Sequence, residues 1–219
     1  MLNTEYFVRF GGSLPRWDTA ETWDACMAET QASRRGRRSD EARNHEALVR
    51  AATTALRREG TRVTMSAIAA DAGVGIGTLY RHFPTREDLL DCLTHRSFER
   101  VLANVQAAEA DGATASDALR RFIEAAIAQR NELVLPLHGG PQVLAPQTRA
   151  VRAKVHSAIR RIIERGRADG TINQEVSPRD VVVFGAKLAQ PRRPDREYDA
   201  ACRRLLATYL AGLSVRGDD

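Results

Sequence analysis

An all-α fold is predicted for this 219-residue chain, and three features of the sequence predict it. Apolar residues recur at three- and four-residue spacing through most of the chain beyond residue 40, and no stretch alternates with period two for long. Ala, Leu and Arg dominate the composition, and all three are good helix formers. Aromatic residues make up only 5%, which points away from an aromatic-rich β protein, while 43% hydrophobic residues suffice for a core. About nine helices are expected. The predicted plan is an extension over 1–38, a three-helix helix-turn-helix domain over 39–88, and a larger helical domain over 89–219.

Residues 1–38 carry little periodicity. Gly11-Gly12 and Pro15 interrupt them, although 18–35 can form a helix, and Phe7, Phe10, Trp17 and Trp23 can dock on the body. The expectation is a mostly unstructured segment, since termini are ordered only when tied down. Acids outnumber bases up to residue 32, and Arg34, Arg35, Arg37 and Arg38 follow with no acid among them. Such a run reads as a solvated basic linker or as an arm that approaches phosphates or a narrow minor groove. From Asp40 to Glu59, Leu48, Ala52, Ala55 and Leu56 fall on one helical stripe, and Gly60 ends it.

The chain is organised around TMSAIAADAGVGIGTLYRHFPTRED, Thr64 to Asp88. Thr64 caps a short helix with Ile68 and Ala69 inward, and Gly73 marks its end. A second short helix runs from Gly75 to Phe83, and Pro84 stops it. Thr85 then opens a long helix, with Asp88 as the acidic half of a capping box. Leu79 and Phe83, four apart, are packing residues, which leaves Ile76, Gly77, Thr78, Tyr80, Arg81 and His82 on the opposite side. Two short helices about a glycine turn can place the second in a DNA major groove. Gly73-x-Gly75-x-Gly77 is not read as a phosphate loop, because an Ala-rich helix precedes it where a strand is needed.

The run IAADAGVGIGTLYRHFPTREDLL resembles the DNA-binding signature of the TetR family of bacterial transcriptional regulators, and the resemblance covers residues 43–105 well. It implies groove or phosphate contacts at Thr64, Gly75, Ile76, Gly77, Thr78, Tyr80 and His82. Arg86 is added as a phosphate partner from the next helix, and Arg37 and Arg38 as arm contacts. The sequence departs from the family pattern at Gly75, where a capping Ser is common, and at Ile76, where a polar or basic residue often reads bases. Ile76 can meet a thymine methyl, but little hydrogen-bonding code remains, so the operator sequence is not derivable.

The long helix from Thr85 should reach about Ala110, spanning over ~30 Å. Asp111-Gly112 breaks it, Thr114 and Asp117 restart a helix, and residues 131–145 form a short helix and loop. Val151, Val155, Ile159 and Ile162 mark a helix from Pro146 to about Ala168. Ser177-Pro178 with Asp180 starts the next, and a last helix runs from about Asp195 to Leu213. The resemblance implies that this body binds a small-molecule effector and forms a homodimer, with the last two helices as pairing surface. Gly185, Leu188, Leu205, Tyr209 and Gly212 are the candidates there, and plain core is the competing reading. Phe98, Leu102, Phe122, Leu137, His138, Val155 and Phe184 are candidate pocket residues, with the same competing reading.

No carboxylate pair, nucleophile-histidine set or metal-ligand spacing is present, so no catalytic residue, metal or cofactor is expected and the chain is not read as an enzyme. Cys26, Cys92 and Cys202 are read as reduced thiols. No apolar run is long enough to span a membrane and no signal peptide is visible, so a cytoplasmic protein is expected. The net charge of +5 is only weak support for a polyanionic partner. The sequence therefore points to a ligand-responsive, sequence-specific regulator, most often a repressor in that family, on a palindromic double-stranded operator. The alternative is a helix-turn-helix interaction module with weak DNA binding.

Overall fold

The computed structural model describes residues 20–111, 114–138, 140–191 and 195–213, with side chains from residue 39 onward except those of Thr61 and His138. The expectations for residues 1–19 lie outside the described residues. Eight α-helices and two 3-10 turns lie among those described: α1 Ala20–Glu59, α2 Met65–Asp71, α3 Ile76–His82, α4 Arg86–Ala110, α5 Ala115–Ala128, α6 Pro146–Ala168, α7 Pro178–Leu188 and α8 Arg196–Leu213. The 3-10 turns are Gly60–Arg62 and Pro136–His138. The architecture is all-α, as expected. Two compact units divide the chain, residues 1–46 and 47–219.

Helix α1 begins at Ala20 rather than at Asp40. Residues 20–38, expected to be mostly unstructured, therefore have helical backbone. No proline interrupts 20–59, and its many Ala, Glu and Arg residues favour helix strongly enough to carry the single Gly36.

Local chemistry accounts for each later boundary. The Thr64 hydroxyl accepts from the Ala67 N–H at 3.2 Å and caps α2. Beyond its end Gly73 takes φ +69°, donating to Ala70 O, while Val74 donates to Ala69 O, both at 3.0 Å. That pair of bonds is a Schellman closure, and it needs a residue free to enter the left-handed region. Phe83 is extended before Pro84. Thr85 and Asp88 exchange side chain for backbone N–H at 3.0 Å in each direction, starting α4. Thr114 caps α5, and a second capping box, Ser177 with Asp180, starts α7.

Helix α4 joins two cores. Leu89 and Leu93 pack with Leu48, Ile68, Leu79 and Phe83, while Val101, Val105 and Ala108 pack with Leu119, Ile123, Ile159, Ile162 and Leu206. Its 25 residues make a rod of about 37 Å. Helix α6 lies along it as its most extensive partner. Near the end of α6 a Cβ on Gly166 would sit 2.6 Å from Ile172 Cγ1 and 2.7 Å from Ala115 Cβ. Only glycine lets the chain fold back there. The segment after α5 is pinned to α4 by Ser97, whose hydroxyl accepts from Val134 N–H at 2.9 Å and donates to Leu93 O at 2.8 Å.

Candidate nucleic-acid interface and interior cavity

Helix α3 spans seven residues, and Leu79 is the one it buries. Leu79 is fully covered and Phe83 nearly so, as their four-residue spacing predicts. The opposite face stands open. Ile76 is 44% and Tyr80 47% exposed, Gly75 and Gly77 are exposed, and Thr78 and His82 are half-buried. The His82 ring lies tilted beside Phe83, centroids 6.5 Å apart. Arg81 also faces solvent from the last turn and adds a cation that the candidate set omits. A Cβ at Gly75 or Gly77 would meet nothing within 4 Å, so these glycines leave open space rather than fit a packed wall.

Two candidate contacts already have work within the chain. The Thr64 hydroxyl caps α2 and lies 3.0 Å from Ser66 Oγ, although it remains exposed. Arg86 donates from its guanidinium to Val63 O at 2.5 Å, tying the start of α4 to the turn before α2. Its positional role is therefore plain, and any phosphate contact must use its remaining donors. Arg37 and Arg38 have helical backbone, and their side chains lie outside the described residues.

The body holds a cavity of about 550 Å³ walled by α4, α5, α6, α7 and the segment Leu133–Leu137. Of the candidate pocket residues, Phe98, Phe122, Leu137 and Val155 line it. Leu102 and Phe184 do not. Leu102 packs against the body core, a turn of about 100° from Val101, which does line the space. Phe184 lies about 200° round α7 from Val182 and stacks on Tyr209 instead, centroids 3.8 Å apart and planes 12° from parallel. The His138 side chain is outside the described residues.

Sequence reasoning missed three polar liners: Arg152 and His156 on α6 and Arg179 on α7. The available signal was the four-residue spacing of Arg152 and His156, which places both beside Val155 on one side of α6. Burial, then the charges of Arg152 and Arg160, hold the His156 imidazole below its ordinary pKa of 6.5. A depressed pKa means the unfolded chain takes up this proton first, so the stability contribution is complete above 6.5 and is lost as pH falls below it. Denaturation of the wild type and of His156→Gln at a series of pH values should show a shallower acid decline in the variant. Parallel curves would remove His156 from that role.

A second hollow of about 450 Å³ lies between the end of α1, Leu90 of α4 and the loop around Gly140. Leu133 and Leu137 line both spaces, so one wall separates the interior cavity from a hollow touching the helix-turn-helix end of the unit.

The pairing candidates divide. Gly185 and Leu188 are turned inward, Gly185 against Ile123 and Leu188 into the body core, which favours the plain-core reading for these two. Apolar periodicity alone cannot separate core from interface. Leu205 and Gly212 are exposed, two turns apart along α8. Tyr209 is half-buried under Phe184. Burial, with a contribution from Asp180, pushes its phenol up to about 12.

Among the described residues no cluster of His, Cys, Asp and Glu is placed to hold a metal ion, and no helix is long and apolar enough to cross a membrane. Residues 48–93 match the family described as bacterial regulatory proteins, tetR family. No curated protein matches. A TetR transcriptional regulator from Streptomyces coelicolor is 28% identical, with 79% of this chain covering 99% of that one at a TM-score of 0.53. A TetR family transcriptional regulator from Thermus thermophilus is 24% identical, with 80% and 96% covered and a TM-score of 0.61. AibR, solved with isovaleryl coenzyme A and operator DNA, is 16% identical over 75% of this chain and 97% of that one, with a TM-score of 0.62.

Proposed function

The chain belongs to the TetR family of bacterial regulatory proteins, and from that premise we propose that it is a cytoplasmic repressor that binds a palindromic operator as a homodimer and releases it when a small molecule enters the body. The observation carrying the DNA half is the open face of α3, fixed from behind by Leu79 and Phe83. A helix of seven residues is about 10 Å long and fits the major groove, which is about 12 Å wide. Thr78, Tyr80 and His82 can give hydrogen bonds to phosphates, and Ile76 can lie against a thymine methyl. A single such helix reads few bases, so a second copy about one DNA turn away (~34–36 Å) supplies specificity. Exposed Leu205 and Gly212 on α8 support pairing through that helix.

The shared wall at Leu133 and Leu137 supports the effector half. A ligand that binds better to one arrangement of this wall biases the hollow beside α1 and α4 by that difference in affinity, and by no more. Selection of bound sequences from random duplex DNA at ~150 mM salt tests the DNA half, with a two-fold symmetric motif as the expected result. Recovery of no motif, together with salt-independent binding, would favour the interaction-module reading instead. Tyr80→Ala should weaken operator binding roughly ten- to a hundredfold, the worth of a hydrogen bond to a charged group, with an unchanged melting temperature. Equal affinity in a band-shift titration would take Tyr80 off the interface.

A further inference from the structure

The interior cavity joins an apolar lining to two arginines and an imidazole. Phe98, Phe122, Val155 and Val182 represent the lining, and no Asp or Glu is part of it. Arg152 and Arg179 are exposed and His156 is half-buried, so the polar groups reach the solvent side while the hydrocarbon lies within. Elsewhere in the body arginines meet acids: Arg100 pairs with Glu132, Arg120 with Asp117, Arg121 with Asp111, Arg130 with Asp199 and Arg161 with Glu109. Arg152, His156 and Arg179 form no ion pair with a described residue. The nearest acid in the chain to Arg179, Asp180, has its Oδ2 held by the Ser177 N–H and hydroxyl at 2.8 Å, and the Arg179 charge is only the smallest of the causes that lower its pKa.

The guanidiniums of Arg152 and Arg179 at one apolar wall repel one another, and an anion between them removes that cost, with the His156 imidazole as a further hydrogen-bond donor. Arg160, one turn beyond His156, adds to the same positive field. A positive or neutral polar ligand would leave the repulsion in place. We propose that this cavity takes an apolar molecule ended by one anionic group, of the fatty-carboxylate class, with its hydrocarbon inward and its carboxylate among Arg152, His156 and Arg179. The volume of about 550 Å³ is in the middle of the range for small-molecule sites, about 300–1,000 Å³, and suits a medium-length chain.

This assignment rests on the cavity being the effector site, and the test separates the two. Calorimetric titration of the full chain with hexanoate, decanoate and tetradecanoate is set against the matching primary alcohols and alkylammonium ions, all below their micellar limits. At least one carboxylate should bind one per chain, at least about tenfold more tightly than its alcohol, and the ammonium ion should not bind. Arg152→Gln with Arg179→Gln should reduce carboxylate affinity by about a hundredfold, leaving alcohol binding and the circular dichroism spectrum unchanged. An alcohol as tight as its carboxylate, a ratio unmoved by the two substitutions, or no carboxylate binding up to millimolar concentration overturns the proposal. Carboxylate binding that leaves operator affinity unchanged would count against the effector reading alone and uphold the head-group assignment.

Discussion

Leu79→Ala should abolish operator binding and lower the melting temperature, whereas Tyr80→Ala should affect only binding. Leu79 has no exposed surface and is the single buried residue of α3. Truncating a fully buried leucine costs about 2.7–5 kcal/mol, from lost transfer energy and the cavity left behind. For a chain of this size that is roughly 5–20 °C in melting temperature. The functional loss should exceed what global stability implies. A helix of seven residues cannot persist in water by itself, since isolated helices shorter than ~12–15 residues are marginal. Once its anchor is gone, α3 can open while the body around α4, α5 and α6 stays folded. Hydrogen exchange is the discriminating measurement: faster exchange confined to the segment around α2 and α3 is expected. Retained operator binding by a folded Leu79→Ala protein would mean that Phe83 and the Gly73 turn hold α3 sufficiently, and that the face opposite them is not what reads DNA.

The contrast between these neighbours also marks what was legible in the sequence. Thr64, Gly73, Thr85 with Asp88, and Ser177 with Asp180 act through bonds to residues at most four positions away, so their effect can be read without a fold. Leu79 and Phe83 follow from helical periodicity in the same way. Gly185 and Leu188 could not be placed, because an apolar residue on a helix looks the same whether it meets its own core or another chain. Arg152, His156 and Arg179 were missed for the converse reason: a cation on a helix is ordinarily solvated, and only the third dimension brings these onto one apolar cavity. The helical backbone of 20–38 departs from an expectation that rested on the breaks at Gly11-Gly12 and Pro15 and on the terminal position, although no proline stands within 20–38.

Asp199→Ala is expected to be the most damaging change among the surface-reaching side chains of the body. Arg130, just beyond the end of α5, is only 6% exposed, and its Nη2 donates to Asp199 on α8 at 2.5 Å. Its Nε makes no hydrogen bond to a described residue, so the Asp199 carboxylate is the main compensation for a buried charge. Removing one partner of a buried pair costs about 3–5 kcal/mol, because the other charge stays behind. Asp199 is one-third exposed at its side chain, so water can partly replace it. Screening brings the expected loss to about 2–4 kcal/mol. Replacing both residues should be milder than replacing one: Arg130→Met with Asp199→Val, apolar and closer in volume, should lie within about 1 kcal/mol of the wild type. Chemical denaturation of the wild type, both single variants and the double variant completes the cycle. A large coupling would show that the pair fastens α5 to α8 by charge compensation. Additive losses would mean that Arg130 contributes through the packing of its stem, with Asp199 a bystander. The position itself continues the stripe of Leu119, Phe122, Ile123 and Ala126, where an arginine among apolar neighbours marks a cation that must find a carboxylate as it is buried.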